Sequence, residues 1–144
     1  MKIRKLRPQH VENLPEQLED GVLYICKPFE LAAHRCCCGC GEEVVTPINK
    51  AKWSLSECDG RVSLKPSIGN WKLACQSHYW ITNNKVHPAE RMSKITIQRV
   101  IEKDRIDAQL FAQERSGSTS LSQANLISLI SRIRQWVMKL LSQD

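Results

Sequence analysis

Nowhere in the 144 residues does an apolar run reach the length needed to cross a bilayer, which argues against a helical membrane span. Residues 1–20 also lack an apolar h-region: a basic stretch over 1–7 passes straight into polar sequence through Asp20, so no secretory signal peptide is expected. Nor are basic residues interleaved with aromatics. Lys2, Arg4, Lys5 and Arg7 crowd the start and Arg132, Arg134 and Lys139 the end, so the formal charge of +6 is only partly focused, and nucleic-acid binding would rest on net charge alone. An even cysteine set is missing too. The seven cysteines, one flanked by cysteine on both sides, suit a reducing compartment better than a disulfide framework, and a cytoplasmic location is expected.

What the chain has instead is a concentration of thiols. Residues 34–41 read His34, Arg35, Cys36, Cys37, Cys38, Gly39, Cys40, Gly41, so four of the seven cysteines fall within five positions. Neighbouring thiols diverge too far to make good disulfides with each other. A metal knuckle, by contrast, wants short cysteine spacing with glycines between, so that backbone amides turn toward the thiolates without Cβ clashes. One knuckle supplies two or three ligands, and a closed zinc site takes four. Cys75, Gln76, Ser77 and His78 form a C-x-x-H pair thirty-five residues after Cys40. Alone, the pair reads as a buried thiol and a core histidine; with the knuckle it predicts a zinc ion shared by two hairpin tips.

The length suits one domain with a modest core. The expected fold class is α+β: a small antiparallel, β-rich zinc-binding body with zinc-ribbon-like hairpins over 1–90, a helix over 91–115, a linker over 116–120 and an amphipathic C-terminal helix over 121–144. Residues 8–20, with Pro8 and Pro15, read as an irregular lead-in. Strands are expected over 22–26, with Cys26 in the core, and over 32–36, 43–48, 53–56, 61–65 and 71–74. Residues 78–82 and 85–87 form the clearest hairpin, because Asn83 and Asn84 tolerate the positive φ of a tight primed turn. Residues 66–70 read as a loop, and Trp71, Tyr79 and Trp80 as core packing around the metal hairpin. Ile95, Val100, Ile101, Ile106, Leu110 and Phe111 recur at helical intervals. In the last segment Leu126, Ile130, Ile133, Val137 and Leu141 form a stripe, which packs back on the domain or docks in a partner's groove or on a membrane surface.

Three stretches carry a resemblance. They are His34, Cys36, Cys38, Gly39, Cys40 and Gly41; then Val62, Ser63, Leu64 and Pro66 through Trp71; then Cys75 and Ser77 through Ile81. In this order they resemble a small bacterial family of zinc-binding proteins encoded beside ubiquitin-like proteins, ThiF-type activating enzymes and conjugating-enzyme-like proteins, in operons associated with phage defence. The resemblance covers about residues 20–87. Cys37 falls where that pattern is free, so it is discounted as a ligand; Asn83, Asn84 and His87 depart from it. What the resemblance implies is a role in ubiquitin-like conjugation or its reversal, with the ubiquitin-like protein and its activating or conjugating enzymes as partners.

The candidates outnumber the metal's places. Cys36, Cys38, Cys40, Cys75 and His78 are five groups for four positions. If zinc takes the four cysteines, His78 is left near His34 and Ser67 and would serve as a base. If it takes Cys38, Cys40, Cys75 and His78, a spare Cys36 thiolate near His34 would be a nucleophile. An open zinc position with water, and Glu42 or Glu43 as base, fits less well, because thiolate charge blunts the metal's Lewis acidity. Ser67 and Asn70 would place a nucleophile beside an oxyanion donor, or form an ordinary turn. Two functions follow: a hydrolase that trims or removes the ubiquitin-like modifier, using Ser67, His78 and His34 on a structural zinc, and a non-catalytic zinc adaptor or ligase-like module whose C-terminal helix docks pathway enzymes or targets.

Overall fold

The computed structural model describes residues 1–116. The chain divides after Arg105, and all the strands lie in the first unit, Met1–Arg105. They form two four-stranded sheets. The first orders β1 (Arg7–His10), β2 (Val22–Cys26), β3 (Leu31–Arg35) and β4 (Glu43–Pro47); the second orders β5 (Ser54–Cys58), β6 (Arg61–Gly69), β7 (His78–Thr82) and β8 (Lys85–Pro88).

Alternation along each strand builds the core. Leu23, Ile25 and Ala32 of the first sheet join Val62, Leu64, Ile68, Tyr79, Ile81 and Val86 of the second in one buried cluster, so the two sheets share a hydrophobic interior. The opposite face of β2 and β3 carries Val22, Tyr24 and Ala33, which Val11, Leu14 and Leu18 of the lead-in cover. All five residues of β2 are therefore buried. Cys26 lies in the interior, its thiol donating to the carbonyl of Glu12 at 3.1 Å.

Two tight turns set the register of the second sheet. Asp59 and Gly60, then Asn83 and Asn84, all take positive φ, the conformation of a primed two-residue hairpin. Asn84 does more than turn the chain. Its Oδ1 accepts from the amide of Val62 at 2.7 Å and its Nδ2 donates to the carbonyl of Gly60 at 3.0 Å, so a glycine there would keep only the main-chain bond to the Val62 carbonyl between the two hairpins.

The architecture differs from the expected one in four places. One pair in the expected antiparallel body, β1 with β2, is parallel. β1 overlaps the start of the expected lead-in; Pro8 has no amide to donate, which an edge strand tolerates. The expected loop over 66–70 continues β6 through Gly69, with an irregularity between Leu64 and Ile68 that accommodates Pro66. The expected strand over 71–74 is a turn instead, closed by bonds from the Leu73 amide to the Asn70 carbonyl and from the Gln76 amide to the Leu73 carbonyl.

Among the described residues there is one helix, α1 (94–116). Ser93 caps it, its hydroxyl accepting from the Thr96 amide at 3.2 Å. No helix among the described residues is long and apolar enough to cross a membrane. The expected C-terminal helix over 121–144, and with it the docking segment of the adaptor reading, lies outside the described residues.

Candidate active site and metal centre

The knuckle is the turn from β3 to β4. The Gly39 amide donates to the Cys36 carbonyl at 2.9 Å and the Cys36 amide to the Glu42 carbonyl at 2.8 Å, while Gly39 and Gly41 take φ values of 91° and 89°. This backbone projects Cys36, Cys38 and Cys40 to one side, where Cys75 meets them from the 70–77 turn; all four sulfurs lie within 4.8 Å of one another. Cys36 Sγ is 3.4 Å from Cys38 Sγ and 3.9 Å from Cys75 Sγ. Thiolates held tetrahedrally at about 2.3 Å from an ion are about 3.8 Å apart, so the four sulfurs match a metal site in both donor type and spacing.

Their protonation points the same way. Burial pushes the Cys38 thiol up to about 12, helped by Cys40 and Cys36. Burial acts upward on Cys75 as well, yet the hydroxyl and amide of Ser77 and the neighbouring thiols bring it down to about 7. Four crowded thiols ionise one at the expense of another until a cation balances them. Cys37 points the other way, into the core; burial takes its thiol to about 12, and it is not one of the four.

His78 lies outside this cluster. Its Nδ1 is 2.9 Å from the carbonyl of Glu90 and its Nε2 is 2.9 Å from Ser67 Oγ. A carbonyl can only accept, so Nδ1 carries the proton, Nε2 is the acceptor, and the Ser67 hydroxyl donates to it. The local fold makes this pair. Gly69 is registered opposite His78, and Ser67, two residues earlier on the same strand face, reaches the ring diagonally. Between the paired residues Tyr79 and Ile81, Trp80 alone faces the three residues Lys65, Pro66 and Ser67, a bulge of the kind that re-aims a side chain.

His34 is elsewhere. Fully buried, it sits on the core side with its Nε2 2.9 Å from the Tyr79 hydroxyl, and its Nδ1 has no partner. Burial lowers its pKa to about 4, so the ring is neutral. Tyr79 follows His78 on β7, and alternation sends the two side chains to opposite faces, so His34 is not brought to the Ser67–His78 pair. Asn70 also turns inward. Its Nδ2 lies 2.9 Å from Ser77 Oγ and 3.4 Å from both Cys36 Sγ and the Tyr79 hydroxyl, which commits it to the cysteines rather than to an oxyanion. The aromatic group likewise divides: Tyr79 is core, Trp71 lies against the His78 ring at 5.0 Å between centroids, and Trp80 is exposed.

Of the residues named from the sequence, the structure brings Ser67 to His78 and gathers the four cysteines, without His78, into one group. Sequence reasoning missed the Glu90 carbonyl that orients His78, because a main-chain oxygen leaves no mark on the sequence. It also missed Asn70 and Ser77 as the groups around the Cys36 sulfur, although their place within and just before C-x-x-H was a usable signal.

A family model described as bacterial ubiquitination-like system serine protease (BubE) matches residues 10–89, a span that contains Ser67, His78 and all four clustered cysteines. No curated protein and no solved structure matches the chain.

Proposed function

This chain belongs to the BubE family of serine proteases of bacterial ubiquitination-like systems, and we propose that it is the hydrolase that trims the C-terminal extension of a ubiquitin-like modifier or releases the modifier from its targets. Ser67 is the nucleophile and His78 the general base. The observation that carries this is the 2.9 Å bond from the Ser67 hydroxyl to His78 Nε2, with Nδ1 held by the Glu90 carbonyl. Among the described residues no other serine is bonded to a histidine.

The reaction follows from the tautomer. As Ser67 Oγ bonds to the scissile carbonyl carbon, its proton moves to Nε2 and the ring becomes a cation. The Nδ1–H···O bond to Glu90 keeps Nε2 facing the reacting centre, although a carbonyl dipole stabilises the cation less than a carboxylate would. Nε2 then gives its proton to the leaving amine, the C–N bond breaks, and an acyl ester remains on Ser67. Water attacks that ester with His78 again as base, releasing the modifier's carboxylate and restoring the hydroxyl.

The four cysteines would hold zinc. Four thiolates would leave the ion no open position, so its contribution would be structural, a clamp between the knuckle and the 70–77 turn. That turn leads into His78, and the Asn70 amide donates to the Ser77 carbonyl at 2.9 Å across it, so the clamp bears on the register that sets His78 against Ser67.

The test uses the purified chain and the ubiquitin-like protein of the same system with its C-terminal extension. Intact mass is followed at that protein's C-terminus while bound metal is measured. Cleavage lost in Ser67→Ala with one metal per chain retained is the expected result. No cleavage of precursor or conjugate by a metal-loaded wild type overturns the proposal.

A further inference from the structure

The face that carries Ser67 and His78 also carries an aromatic and a charge that the chemistry does not use. Directly paired residues share a face of the sheet. Ser54 pairs with Lys65 and Cys58 with Arg61, while Trp80 pairs with His87 and Thr82 with Lys85. The intervening Val62, Leu64, Ile81 and Val86 fill the core, so the former set points outward, with Ser67 and His78. This outward face holds Arg61, Lys65, Lys85 and His87, and none of its strand positions is Asp or Glu. Trp80 stands on this face between His87 on one side and Lys65 on the other, 43% exposed and across from the bulge that contains Ser67.

An isolated surface tryptophan needs no explanation by itself. One beside a nucleophile, on a face of a single charge sign, fits an anchor in a docking surface, where aromatics carry binding energy and charges steer the encounter. A nucleic-acid face would present several aromatics in a row for stacked bases, and this one presents a single exposed ring. A serine–histidine pair, moreover, acts on acyl carbons.

We infer that the outer face of the second sheet docks the modifier: Trp80 packs on an apolar side chain at the root of the modifier's tail, and Arg61, Lys65 and Lys85 face an acidic surface around that root. The tail then leads across Ser67. The identity of the occupant rests on the hydrolase reading; the surface does not.

The experiment separates the two. In the Ser67→Ala background, so that the substrate stays intact, calorimetry measures the affinity of the same system's ubiquitin-like protein with its extension. Trp80→Ala weakens binding at least roughly tenfold, as an aromatic anchor does. Arg61→Glu with Lys85→Glu does likewise and removes most of the salt dependence, with melting temperature checked for each protein. Affinities within about twofold of the parent for both variants overturn the inference, even where the wild type cleaves. So does binding of a single-stranded oligonucleotide that depends on Trp80 while the modifier fails to bind. Trp80-dependent binding without any cleavage by the wild type overturns the hydrolase reading and leaves the docking surface standing.

Discussion

The indole of Trp71 rests on the α-carbon of Gly69: a β-carbon there would lie 2.5 Å from the Cε2 and Nε1 atoms of the ring. The same indole lies against His78. The backbone at 69 is not left-handed, so glycine is required for space and not for torsion. An absent side chain on β6 is thus what lets Trp71 close down beside the imidazole.

Gly69→Ala should therefore act through Trp71. Overpacking costs about 1–3 kcal/mol, and displacing the indole leaves His78 less well held, so kcat is expected to fall roughly tenfold. In a Trp71→Ala background the three closest contacts of the added methyl are gone, and the same substitution should cost less. A double-mutant cycle on kcat and melting temperature checks this; an equal loss in both backgrounds would mean that Trp71 is not the intermediary.

The Ser67–His78 bond makes a second prediction. Groups that act as a unit are not additive, so Ser67→Ala and His78→Ala should each cost about 1000-fold or more in kcat, and the double variant little beyond either. Single-turnover cleavage of the modifier precursor measures all three. Losses that multiply would place the two residues in separate steps.

How far the sequence disclosed this site depends on the range of the interaction. Cysteine spacing and the Asn83–Asn84 turn are local patterns with a local cause, and they located the cluster of four cysteines and the β7–β8 hairpin, while the histidine of C-x-x-H lies outside that cluster. Gly69, by contrast, looked like a loop residue, because neither the bulge between Leu64 and Ile68 nor the indole above it is visible without the partner strand. Pro8 and Pro66 misled for a related reason: proline weakens a strand in general, and only the tertiary setting puts one on an edge and the other in a bulge. Asn70 could be placed near the site but not aimed, since its side chain is claimed by Cys36 from one stretch of chain and by Ser77 and Tyr79 from another.

Cys36 and Cys37 are neighbours with different tasks, which substitution should separate. On the proposed zinc site, Cys36→Ala would remove one of four ligands and should lower bound metal well below one per chain, with the 70–77 turn loosened and cleavage lost. Cys37→Ala trims a buried thiol outside the cluster. It should keep the metal and cost about 1 kcal/mol of stability. Metal content together with thermal melting decides the matter; equal metal loss in the two variants would make Cys37 a ligand.

His34 and Tyr79 test the boundary between core and site. Tyr79→Phe removes the partner of His34 Nε2 and leaves both ring nitrogens unsatisfied in the interior, at a cost of about 1–3 kcal/mol. If His34 has no part in catalysis, the pH profile of kcat should not move. Stability against pH gives the complementary reading. Above the ordinary histidine pKa of 6.5 both folded and unfolded chains hold His34 neutral. As pH falls from 6.5 to about 4, the unfolded chain takes up a proton that burial denies the folded one, so stability declines across that window. Below it both are protonated and the loss levels off at roughly 3 kcal/mol. Release of a metal from the proposed site would add its own slope at low pH, but equally to His34→Leu, so the difference between the two stability curves isolates the histidine. Curves that stay parallel from pH 7 to 4 would mean that the ring is protonated inside the fold, and the neutral core assignment of His34 would have to be abandoned.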